Sequence, residues 1–146
     1  MTLAQTAPQA HRITSNLTQA LCAGNARFTL RNTASGNRLT YRMQVCDDKP
    51  TLFFVQVLTG ADNAGDYTYL GTIRDGVYTH GRKSRITDDA QSAKTFAWFW
   101  EKRAALPGCV EVWHEGHCLR CGRVLTVPQS IAQGYGPECI QLVGQA

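Results

Sequence analysis

Residues 26–44 read ARFTLRNTASGNRLTYRMQ, and the period of two in this stretch sets the architecture. Phe28 and Leu30 alternate with Arg27, Thr29 and Arg31; Leu39, Tyr41 and Met43 then alternate with Arg38, Thr40, Arg42 and Gln44. Strict alternation marks a strand with one buried face. The turn formers NTASGN between the two runs predict a hairpin. If the register follows the apolar pattern, Arg27, Arg31, Arg38 and Arg42 share one face of it. Residues 26–46 hold no acid, so these four arginines equal the net charge of +4 of the whole chain.

The same reading continues downstream. DDKP at 47–50 is a turn, and TLFFVQVL at 51–58 is a buried strand. Residues 60–65 form a loop, and two further strands over 66–73 and 76–80 flank the turn at Arg74-Asp75-Gly76. Five strands joined by short connections predict an antiparallel meander, which with the helix below makes an α+β domain. Before the hairpin, residues 1–25 read as a polar arm with a short amphipathic helix marked by Ile13, Leu17, Leu21 and Cys22. After the strands comes a basic loop, GRKSR at 81–85, carrying Arg82, Lys83 and Arg85. The main helix is expected over 89–103, capped by Thr87 or Asp88, with Asp88 and Asp89 in its first turn. Ala93, Phe96, Ala97, Trp100 and Ala104 make the stripe that packs on the sheet, with Phe99 widening it. Trp98 lies off the stripe and either packs on the C-terminal module or anchors a partner.

The organisation is thus an arm over 1–25, sheet plus helix over 26–106, and a C-terminal metal module over 107–146. A length of 146 residues with 43% hydrophobic and 18% charged content belongs to an ordinary globular domain. The longest apolar run, residues 96–100, is far too short to span a bilayer. The opening MTLAQTAPQAHRITSN has neither a basic start nor an apolar stretch, so the expected location is the cytoplasm.

Residues 113–140 read WHEGHCLRCGRVLTVPQSIAQGYGPECI. His114, Cys118, Cys121 and Cys139 there have the spacing of a tetrahedral Zn²⁺ site, and three clustered cysteines favour metal over disulfides. Val110, Val112 and His114 alternate as a short strand that brings the histidine in. Cys118 to Arg123 makes a knuckle in which Gly122 supplies a positive φ. Pro128 starts a helical turn that Gly134 ends. Pro137 places Cys139 in the first turn of a terminal helix, where the dipole favours a thiolate. Knuckle followed by a ligand on a helix start is a treble-clef-like arrangement. Cys109 is the alternative fourth ligand, and His117 abuts Cys118 too closely to bind the same ion without strain. Cys22 and Cys46 are read as buried thiols.

CLRCGRVLTVPQSIAQGYGPEC, residues 118–139, resembles the zinc-binding motif of an uncharacterised domain found in many bacteriophage and bacterial proteins. DYTYLGTI at 66–73 and SAKTFAWFW at 92–100 look like small proteins of phages and mobile elements. The resemblance implies zinc and a mobile-element origin, hence a bacterial host cytoplasm. It implies no activity.

A structural zinc has all four positions filled by protein, as this motif would, and no deaminase pattern, P-loop or dinucleotide fingerprint is present. Binding is therefore expected rather than catalysis, with a zinc hydrolase-like enzyme as a distant alternative. Nucleic acid is the first candidate partner, met by Arg27, Arg31, Arg38, Arg42, Arg82, Lys83 and Arg85, with Tyr67, Tyr69 and Tyr78 as stacking faces. The module itself is not basic: Arg120 and Arg123 stand against Glu111, Glu115 and Glu138 over residues 109–146. The second candidate is a protein, for instance a host defence complex that the chain inhibits or redirects.

Overall fold

The computed structural model describes residues 9–63 and 65–143. Residues 1–8 of the expected arm, Ala64 of the expected loop and residues 144–146 of the expected module lie outside them. The elements run β1 (His11–Arg12), α1 (Leu17–Leu21), β2 (Asn25–Asn32), β3 (Arg38–Cys46), β4 (Lys49–Leu58), β5 (Tyr67–Arg74), β6 (Val77–His80), α2 (Gln91–Lys102), β7 (Val110–His114), α3 (Pro128–Gln133) and α4 (Cys139–Val143). The class is α+β, as the alternation predicted. The sheet, however, has seven strands in the order β1-β7-β2-β3-β4-β5-β6, not five. All its pairings are antiparallel. The five expected strands form the meander β2 to β6. The additional two arrive from the flanks: β7 pairs with β2, and β1 pairs with β7.

Local chemistry explains the turns. Asn32 Oδ1 accepts the backbone N–H groups of Ala34 and Ser35 at 2.9 and 3.2 Å, closing the β2–β3 connection. Asp75 and Gly76 between β5 and β6 both take positive φ, 52° and 83°, the pattern of a two-residue turn matched to strand twist.

Period two delivers the core. Phe28, Tyr41, Met43, Val55 and Val57 are buried beneath α2, which contributes Ala93, Phe96, Phe99 and Trp100. Phe96 is the hub: its ring lies 5.2 Å from that of Tyr41 and 4.9 Å from that of Tyr78. The Tyr41 hydroxyl donates to Ser92 O at 2.8 Å and Trp100 Nε1 donates to Gly76 O at 2.9 Å, which satisfies these two buried tips, while the buried Tyr78 hydroxyl has no partner. Burial pushes the Tyr41 phenol well above its ordinary value.

The helix begins later than its acidic residues predicted. Its N-cap is Ala90, without a side-chain hydrogen bond and with no acid in the first turn. Thr87 instead donates to Asp89 Oδ1 at 2.5 Å, so an expected cap and an expected first-turn acid pair with each other ahead of the helix.

Candidate metal centre and the polar sheet face

Beyond β7 the chain folds back tightly. Cys118 N donates to Arg123 O at 2.7 Å and Gly122 N to Cys118 O at 2.9 Å, forming the knuckle. Gly122 has φ 83°, and a Cβ there would come within 2.8 Å of Asn25 Nδ2, so two constraints demand glycine. Asn25 N donates to Leu119 O, and Leu119 N to Gly134 O, both at 2.9 Å. The knuckle is therefore seated on the start of β2 and held from behind by the end of α3.

This folding brings the Sγ atoms of Cys118, Cys121 and Cys139 within 4.8 Å of one another. That spacing fits three sulfurs sharing one soft divalent ion. Cys121 N and Gly136 N point at Cys118 Sγ from 3.5 and 3.4 Å. Burial opposes ionisation of Cys118, but the N–H groups of Cys121, Gly136 and Arg120 outweigh it, and its thiol is held below the ordinary range. Arg120 Nη1 reaches Cys139 Sγ at 3.6 Å. Cys139 does open α4, as expected, but that helix has five residues, and the charge facing the sulfur is a guanidinium rather than a helix dipole.

His114 is not part of the group. It is buried at the end of β7, and both ring nitrogens are occupied: Nε2 donates to Ile131 O at 2.6 Å, and Nδ1 accepts from Gly116 N at 3.0 Å. The lone pair a metal would need is thus taken, which corrects the expectation that His114 is the fourth ligand. Cys109 precedes Val110, at the end of β7 remote from the knuckle, about 16 Å away by strand rise. His117 Nε2 accepts from Arg27 Nη1 at 3.1 Å, while its buried Nδ1 turns toward the Glu115 carbonyl without a well-formed bond. Burial, reinforced by Arg27, holds His117 neutral below its ordinary range.

The second constellation lies on the sheet face away from α2. The register sets Arg27 opposite Arg42 and Arg31 opposite Arg38, so the four arginines do share a face. Directly opposed like charges destabilise a sheet unless something offsets them. Arg27 Nη1 donates to Asn63 O at 3.1 Å, and Arg42 Nε donates to Asn25 Oδ1 at 3.3 Å with its guanidinium 5.9 Å from the Tyr67 ring. Asn63 is the plug: it also donates to Glu115 Oε1 at 3.1 Å and accepts from the Tyr67 hydroxyl. Thr29, opposite Thr40, donates to Glu115 Oε2 at 2.7 Å. Arg31 and Arg38 are the exposed arms. Glu111 stands 3.7 Å from Arg12 and 4.0 Å from Arg31, distances at which exposed ion pairs contribute little.

Period two over 110–115 also turns Trp113 onto this face, a placement implied by the alternation of Val110, Val112 and His114 on the other side but absent from the residues expected there. Trp113 pairs with Thr29 on one flank and Arg12 on the other. With Thr29, Arg31, Arg38 and Glu115 it lines a pocket of about 190 Å³. The other expected contributors do not join it. Arg82, Lys83 and Arg85 follow β6, the opposite edge strand, about 14 Å from β3 by strand spacing. Tyr78 packs on Phe96 in the core and offers no stacking face. Trp98 is 40% exposed and lines a groove with Leu39, Thr95 and Val110 beside the β2–β3 hairpin, away from the cysteines.

A family of unknown function (DUF6011) matches residues 108–144, the stretch that contains β7, the knuckle and all three clustered cysteines. No curated protein and no solved structure matches the chain. Among the described residues, no helix is long and apolar enough to cross a membrane.

Proposed function

We propose that this chain is a zinc-stapled binding domain whose arginine-bearing sheet face takes single-stranded nucleic acid. The observation that carries the reading is the exposed cross-strand couple Arg31–Arg38 beside Trp113, backed on the same face by the half-buried couple Arg27–Arg42. Arg12, Arg27, Arg31, Arg38 and Arg42 outnumber Glu111 and Glu115 there by three charges, most of the surplus of +4. A phosphate backbone would relieve the repulsion that folding leaves between Arg31 and Arg38, and the indole offers a platform for a base. Zinc is the natural ion for three thiolates in a short knuckle, and its role is to hold residues 116–143 in a treble-clef-like arrangement against β2. A small binding protein of this kind also suits the phage or mobile-element origin that the cysteine motif's resemblance implies, acting in a bacterial cytoplasm.

The test is fluorescence anisotropy with a labelled single-stranded oligonucleotide at several salt concentrations. Engagement of Arg12, Arg31 and Arg38 should weaken binding about 20-fold between 50 and 200 mM salt. Arg31→Glu with Arg38→Glu should abolish it and leave the melting temperature unchanged, because neither side chain belongs to the Asn63 network. No binding at 50 mM salt would end the proposal. Exposed Trp98 favours a second reading, a protein partner docked on α2; Trp98→Ala would then release a protein captured from host extract.

A further inference from the structure

We infer that the metal at Cys118, Cys121 and Cys139 takes three ligands from this chain and keeps its fourth position for a thiolate brought from outside. The inference rests on the metal reading above and deepens it.

Elimination carries the first half. Residues 1–8, MTLAQTAP, Ala64 and residues 144–146, GQA, contain no cysteine, histidine, aspartate or glutamate. Every cysteine, histidine, aspartate and glutamate of this sequence therefore lies among the described residues, and there the sulfurs form a group of three. His114 has no free lone pair, His117 has its acceptor nitrogen on Arg27, and Cys109 lies beyond the far end of β7. Tetrahedral zinc wants one donor more.

Geometry carries the second half. The three cysteines line a pocket of about 140 Å³, room for about four waters, together with Thr126, Ser130 and Pro137. Cys118 and Cys139 are buried but Cys121 is exposed, so the group is reached from solvent on the Cys121 side. Three thiolates and a divalent ion sum to one negative charge, which weakens the Lewis acidity that a hydrolase needs. A fourth thiolate adds another negative charge, and two guanidiniums are in place to balance it: Arg120 on Cys139, and Arg123 on the pocket wall. Glu138 also lines this pocket but stands outside the sulfur group. The site is thus built to accept a soft anionic donor, from a small thiol or from a cysteine of a second copy of this chain.

Cobalt substitution reads the coordination shell directly. Protein reduced with a phosphine is loaded with Co²⁺ and titrated with β-mercaptoethanol, while its mass in solution is followed by sedimentation. The inference expects the sulfur-to-cobalt charge-transfer absorbance to rise by about one third as three thiolates become four. A four-sulfur spectrum already present in a dimer without added thiol would identify the second copy as the source. A spectrum that ignores the thiol, a four-sulfur spectrum in a monomer, or a thiol-free spectrum altered by Glu138→Gln or His114→Gln would overturn the inference while leaving the metal centre standing. Absence of cobalt bands altogether would reject the metal reading and this inference with it.

Discussion

At the residue scale, the two histidines of the β7 region show opposite tautomers. His114 carries its proton on Nε2, donated to Ile131 O, whereas His117 accepts at Nε2 from Arg27 and so carries its proton on Nδ1. Burial lowers the proton affinity of His114 below its ordinary value of 6.5. The unfolded chain therefore takes up a proton as pH falls through about 6.5, and the folded chain does not until a lower pH. The stabilisation from keeping His114 neutral is complete above pH 6.5 and is lost on acidification below it, with a slope of up to about 1.4 kcal/mol per pH unit. His114→Gln should remove one proton's worth of that slope and cost about 1–3 kcal/mol at pH 7.5 through the disturbed buried hydrogen bonds. Urea unfolding at pH 7.5 and 5.5, with chelator present, measures both; an unaltered slope would contradict the assignment. This residue also marks where sequence reading stopped. The spacing of Cys118, Cys121 and Cys139 announced their grouping, because ligand spacing is a local property. The partner that claims His114 is a backbone carbonyl on α3, and nothing in residue type or spacing signals a carbonyl.

At the element scale, α2 separates burial from mere apolarity. Phe96 and Trp98 lie on one turn of one helix, yet Phe96 is fully buried among Tyr41, Tyr78, Phe99 and Trp100 while Trp98 is 40% exposed. Phe96→Ala should cost about 3–5 kcal/mol through lost burial and the cavity left behind. Trp98→Ala should change stability by less than about 0.5 kcal/mol. Chemical denaturation of the two variants side by side decides it; equal losses would mean that Trp98 is packed in solution. The helical stripe predicted the burial of Phe96 and set Trp98 off it, as period two predicted the β2–β6 meander, but the stripe did not tell whether Trp98 packs on the C-terminal module or stays exposed. Those signals are legible because each element writes its buried face into its own residues. The helix start was not, since Thr87 and Asp89 satisfy each other and α2 starts without them.

At the scale of the whole molecule, the boundary expected near residue 107 does not separate the metal centre from the sheet. β7 opens the cysteine-bearing stretch, yet it lies between β1 and β2 in the sheet. No periodicity could reveal this, because the strand's neighbours lie far away in sequence, and a short alternating run has the same pattern at an edge as inside a sheet. The consequence concerns cooperativity. Leu119 O holds Asn25 N, Ile131 O holds His114, and Glu115 ties the end of β7 to Thr29 and Asn63. Loss of the metal should therefore loosen β1, β7 and β2 together, rather than releasing a tail from an unaffected core. Calorimetry with and without chelator, or on Cys121→Ser, should show one transition shifted down by on the order of 10 °C. Two transitions, the upper one unmoved by chelation, would mean instead that the knuckle melts alone. The sheet would then draw no stability from the metal, and the arginine face would keep its geometry in the metal-free protein.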